Sequence, residues 1–147
     1  MSRARPARDE GSAVVEFLAL VVLVLIPILY LVLTLGRLQA ASFAVEGAAR
    51  DGARSAARAA DTPTARARAG TVTRLALQDQ GFDPAAARTT VTCPRGCGTP
   101  ESPVTVEVGT VVALPFVPAF VGSRVAVPVT ARHTLLVDRH ADALPET

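Results

Sequence analysis

The chain has 147 residues, half of them hydrophobic, and a formal net charge of only +2. That length holds one domain, and so small a charge gives no basis for a nucleic-acid partner. A 50% hydrophobic fraction is high for a soluble domain and points to a membrane segment. Every basic residue is Arg, which beside the abundant Ala reads as GC-rich codon usage and carries no chemistry.

Taken in chain order, residues 1–11 form a short basic leader with Arg3, Arg5 and Arg8. From Phe17 to Leu33 no residue is charged, and Val14, Val15, Thr34 and Leu35 extend the run. About 20 such residues span a hydrocarbon core of roughly 30 Å, and only a helix satisfies its own backbone there. Residues 12–36 are therefore predicted to be a transmembrane helix. Pro27 removes the hydrogen bond toward Leu23 and is expected to kink it. The basic leader favours a cytoplasmic N-terminus and an extracytoplasmic C-terminus. A cleavable signal peptide with small residues near Ala40-Ala41-Ser42 is the alternative; against it, the apolar run exceeds the usual h-region of about 7–15 residues. Glu16 at the start of the run costs free energy unless it is solvated or paired. Its plain reading is interfacial, facing headgroups and water.

Beyond Gly36 the helix is expected to continue through residues 37–60. Leu38, Ala41, Val45, Ala48, Ala49, Gly52, Ala53 and Ala56 recur at helical spacing, while Arg50, Arg54 and Arg58 form an i, i+4 ladder that reads as a solvated face. A small extracytoplasmic α+β domain follows over residues 61–147. Thr62 is expected to N-cap a second helix with Pro63 at its first position, running to about Gln80 with Gly81 as its C-terminal cap. Val72, Leu75 and Ala76 would mark its apolar face. From Thr89 the period becomes two: TTVTC, VTVEV and VAVPV alternate as strands do. Val104, Val106 and Val108 share one side, as do Val125, Val127 and Val129. Pro128 marks the last strand as an edge or as bulged. The intervening LPFVPAFVG is either core or an exposed patch, and the tail from Ala141 looks frayed. The expected fold class is α+β: a long N-terminal transmembrane helix, a second helix and a small antiparallel sheet.

Cys93 and Cys97 sit close together as Cys-Pro-Arg-Gly-Cys. Two cysteines do not complete a zinc site, and His133 and His140 are far off in sequence. In an extracytoplasmic segment a small-loop disulfide is the natural reading; free or metal-bound thiols remain open. A catalytic dithiol lacks the βαβ setting it requires. No metal site, cofactor or catalytic constellation stands out.

The N-terminal pieces also form an ordered series. Gly11-Ser12-Ala13-Val14-Val15-Glu16-Phe17 leads into the apolar run with Pro27, then Gly36-Arg37, then Ala48-Ala49-Arg50-Asp51-Gly52-Ala53-Arg54. This series resembles the type IV prepilin cleavage site, and especially the TadE-like pseudopilins or minor pilins of tight-adherence (Tad) pilus systems. Phe17 departs from some pilins of such systems, which have Tyr there. The resemblance, over about residues 9–60, implies a structural and not an enzymatic role. It implies a pilin-like plan, cleavage between Gly11 and Ser12 by a membrane-embedded prepilin peptidase, and a free or methylated amine on Ser12. It implies that Glu16, beside Phe17, pairs with a neighbouring subunit's N-terminal amine during assembly. The partners implied are the membrane, the peptidase, other pilins or pseudopilins and Tad inner-membrane assembly proteins. Adhesion or secretion is the role such systems serve. Two other classes stay open: a signal-anchored or secreted binding module with no filament role, and a small membrane enzyme.

Overall fold

The computed structural model describes residues 10–113 and 126–138. The expectations for the basic leader, LPFVPAFVG, Val125, His140 and the tail lie outside the described residues. The chain divides into two compact units, residues 1–36 and 37–147.

In the first unit the backbone is helical from Glu10 onward, within helix α1 (Glu10–Ala57). Helical geometry persists through Pro27, whose missing N–H leaves one carbonyl without its intrahelical donor. Thr34 donates its hydroxyl to the Tyr30 carbonyl at 2.8 Å, an i−4 bond that keeps the hydroxyl satisfied within the helix. The Leu, Val and Ile side chains of this stretch are exposed. Among the described residues, this is the one helix long and apolar enough to cross a membrane.

The second unit is α+β. Residues 37–57 of α1 and helix α2 (Thr62–Asp79) pack on an antiparallel sheet of three strands, β1 (Arg88–Thr92), β2 (Pro103–Ala113) and β3 (Ala126–Leu136), in the order β1-β2-β3. A short 3₁₀ turn, Pro84–Ala86, precedes β1. Val104, Val106 and Val108 point into the core and are fully buried, which is the side the alternation predicted. Strands β2 and β3 run further than VTVEV and VAVPV alone suggest, pairing without a break from Pro103↔Leu136 to Ala113↔Ala126. Pro128 pairs opposite Val111 in unbroken register, so it marks an edge strand and not a bulge. His133 lies inside β3, opposite Val106 and half-buried.

On α1 the predicted stripe is buried from Ala41 onward, at Ala41, Val45, Ala48, Ala49, Gly52, Ala53 and Ala56, joined by Ala44, while Leu38 is half-buried. The small side chains let the backbones come close. At Gly52 a Cβ would stand 2.8 Å from a Thr73 methyl carbon and 3.2 Å from one of Val106, so only glycine fits between α2 and the sheet.

Two expectations for α2 are corrected. Its N-cap is Asp61, not Thr62: the Asp61 carboxylate accepts the Thr64 N–H at 2.7 Å. Its buried face is Ala65, Ala69, Thr73 and Leu77, while Leu75 is exposed and Val72 and Ala76 are half-buried. Where α2 lies against Gly52 of α1 its inner face carries Ala69 and Thr73, and one turn on Leu77 fills the core while Leu75 faces outward. The far end of α2 closes as expected at Gly81, whose φ is +76°. The Gly81 N–H bonds to Gln78 O and the Phe82 N–H to Leu77 O, a Schellman arrangement that turns Phe82 back against the core.

Candidate functional site

The residues singled out by the sequence fall in two places. Positions 11, 12, 16 and 17 lie near the start of α1. The Gly11–Ser12 bond lies within the described part of α1. Position 16 lies one turn further on, about 6 Å along the axis from position 12. The Glu16 side chain is exposed among Val14, Val15 and Phe17, themselves exposed. A carboxylate ringed by apolar groups is poorly solvated once those groups enter lipid, which leaves it in need of a cationic or hydrogen-bonding partner.

The second place is the disulfide loop. Cys93 and Cys97 are bonded, with their Cα atoms 5.2 Å apart. The loop is seated on the corner between α1 and α2. The Cys97 N–H donates to the Thr62 hydroxyl at 3.3 Å, the work Thr62 does in place of capping. Gly98, at φ +91°, lies so close to the Ala59 and Ala60 carbonyls that any Cβ would overlap them. Arg95 donates to Glu101 O at 3.1 Å, and the Thr99 hydroxyl donates to Arg95 O at 2.8 Å. Across the corner, Arg68 donates to Arg58 O at 3.3 Å. The N–H of Thr64 holds the Asp61 carboxyl below the usual carboxylate range, with Arg68 adding to the same effect. This cluster clamps the disulfide loop to the helix corner.

Pattern reading missed one further feature. Between α1 and the last turn of α2 lies a cleft of about 300 Å³. Phe43, Ala44, Gly47, Ala48, Asp51, Ala76, Asp79 and Gln80 line it. Phe43 is 74% exposed. The signal was available: Phe43 is a large apolar residue off the buried stripe of α1. Arg50, Arg54 and Arg58 are exposed, as their spacing implied. Among the described residues, no three His, Cys, Asp or Glu side chains group as a metal site.

Comparison with protein families matches residues 11–54 to the family described as TadE-like protein, the family the sequence resembles. The match begins at the glycine of the suspected cleavage site and ends at the last Arg of the Ala-Ala-Arg-Asp-Gly-Ala-Arg series. No curated protein and no solved structure matches the chain.

Proposed function

We propose that the chain is a minor pilin or pseudopilin of a tight-adherence pilus system, cut between Gly11 and Ser12 by a prepilin peptidase. The apolar part of α1 anchors the product in the membrane with the α+β domain outside the cytoplasm. Its partners are other pilins or pseudopilins and the inner-membrane assembly proteins. The carrying observation is that the TadE-like match starts at Gly11 and runs straight into the apolar helix, with Glu16 one turn after the new N-terminus. In this reading Glu16 is an assembly residue. A neighbour's Ser12 amine neutralises its carboxylate as helices bundle, and breaking such a buried pair costs about 3–5 kcal/mol. The Cys93–Cys97 disulfide supports an oxidising, extracytoplasmic setting for the domain.

The mature N-terminus tests the reading. Mass spectrometry of protein isolated from the membrane is expected to find Ser12, free or methylated. Met1, or a terminus near Ala41, overturns it in favour of an anchored or secreted module with no filament role. Gly11→Leu is expected to leave an uncut, inserted precursor. Glu16→Gln is expected to be cut normally and to fail to co-purify with other pilins; normal incorporation of that variant makes Glu16 a merely interfacial residue.

A further inference from the structure

Two close approaches fix how the sheet is set along α1. Gly98, just ahead of β2, lies against the Ala59 and Ala60 carbonyls, and Gly52 lies against Val106. β2 therefore runs antiparallel to α1. From Val106 to Ala113 it advances about 23 Å at about 3.3 Å per residue. That is the length of about fifteen residues of α1 at about 1.5 Å per residue, which carries the level from Gly52 back to Arg37. The end of the hairpin, where Ala113 pairs with Ala126, thus stands level with Arg37, the first charged residue after the apolar run.

Charge thins out toward that end. Glu107 and Arg132 pair across the hairpin at 2.6 Å, and beyond them residues 108–131 hold a single charged residue, Arg124. Beside them on α1, residues 38–45 hold none, and Glu46 is the first acid. The twelve residues 114–125 that join the strands begin with LPFVPAFVG, apolar and without charge. Val111 is 45% exposed near the end of β2, and Phe43 is 74% exposed, about 9 Å along α1 from Arg37. The opposite end of the hairpin, at Pro103 and Leu136, is flanked by Arg95, Glu101 and Asp138. The hairpin is polar at one end only.

We infer that the neutral end of the domain rests on the lipid leaflet from which α1 emerges, seated among the headgroups. Position selects the occupant: the apolar run of α1 ends at the same level, so this surface is continuous with the membrane span. Charge agrees with it. The charged residues at that end, Arg37 and Arg124, are both cations, which suits phosphate headgroups, while exposed apolar side chains suit the boundary below them. The contact makes the domain a second, reversible point of membrane attachment beside the helix. It rests on the span of α1 and not on cleavage after Gly11.

The chain contains no Trp, so a Trp introduced anywhere reports alone. Ala113→Trp and Leu136→Trp place it at exposed positions at the two ends of the hairpin, about 33 Å apart at about 3.3 Å per residue. The full-length protein is reconstituted in vesicles of phosphatidylcholine and phosphatidylglycerol, with and without lipid brominated near the top of the acyl chain. Emission of Ala113→Trp is expected to be blue-shifted and to fall about twofold or more with brominated lipid. Emission of Leu136→Trp is expected to stay water-like and unquenched. Phosphatidylcholine alone is expected to weaken the quenching at position 113, as is Phe43→Glu or Val111→Glu added to Ala113→Trp. Water-like emission at position 113 overturns the inference. So does a blue shift without quenching, which means that protein and not lipid covers the site, and so does equal quenching at both ends. Quenching of Leu25→Trp verifies insertion, and hydrogen exchange of the Val104–Val108 amides identifies any variant that has unfolded. Phe43, the more exposed of the two sites, then decides if Val111→Glu does not fold. Whether the mature N-terminus is Ser12 or Met1 does not enter the result, so this inference and the pilin reading can each fall alone.

Discussion

The two stretches of α1 use one backbone geometry and opposite side-chain logic. From Val14 to Leu35 the helix carries Leu, Val and Ile on every side, and all are exposed. From Ala41 to Ala56 the inward stripe is alanine, one valine and a glycine, nearly all at or close to zero exposure. A helix that meets lipid gains from bulk in every direction. A helix that meets a sheet and a second helix gains from having almost none where they touch, because backbones then approach closely and dispersion contacts accumulate. Hydrophobicity alone therefore ranks the two stretches wrongly for packing: the less apolar one holds the core.

That contrast can be broken most severely in the first stretch. Leu25→Arg places a charge near the centre of the apolar run at a cost of about 3 kcal/mol, and membrane integration is expected to fall sharply in a carbonate-extraction assay. Close behind comes Gly52→Val. The new side chain meets Thr73 and Val106 where even a Cβ has 2.8 Å and 3.2 Å, and a loss of about 3 kcal/mol is expected from overpacking. It should appear as faster exchange of the buried strand amides in detergent-solubilised full-length protein, with membrane integration unchanged. Replacing both Cys93 and Cys97 with Ser should cost about 2 kcal/mol for so short a loop, read as a lower denaturation midpoint. Gly47→Ala sharpens the comparison from the other side. Nothing lies within 4 Å of its would-be Cβ, so helix propensity should raise stability by up to about 1 kcal/mol. The smallest effect is acid-dependent. Because the folded Asp61 carboxyl is held below its ordinary value, its cap stabilises the fold at neutral pH, and that contribution is lost as pH falls through the carboxylate range and below. Asp61→Asn should flatten that part of the acid profile; an unchanged profile would contradict the capping role.

Features written into short linear patterns are legible in the amino-acid sequence by itself. The apolar run, the α1 stripe, the strand alternation through Val104, Val106 and Val108, and the Gly81 cap each follow from residue type and period. The series from Gly11 to Arg54 is legible for the same reason, being local and ordered. What escapes depends on two segments meeting. Asp61 and Thr62 are both good caps; Cys97, 35 residues on, recruits Thr62 and leaves Asp61 to cap. Leu75 and Leu77 are equally apolar, and only the meeting of α2 with α1 and the sheet decides that Leu77 is the one buried. The length of the β2–β3 ladder comes from TARHTLL, whose polar alternation is too weak a signal to extend a strand by itself. The cleft at Phe43 is shared by two helices and belongs to no single stretch of sequence.

One consequence of β3 concerns the protein before it meets any partner. An 11-residue strand at the border of the described sheet offers a row of backbone groups on which a stray chain can template, the usual seed of aggregation. Pro128 deletes one donor from that row, and Arg132, held by Glu107 at 2.6 Å on the outer face, adds a fixed charge beside it. The domain is thus protected from the wrong kind of sheet growth by two residues of its last strand.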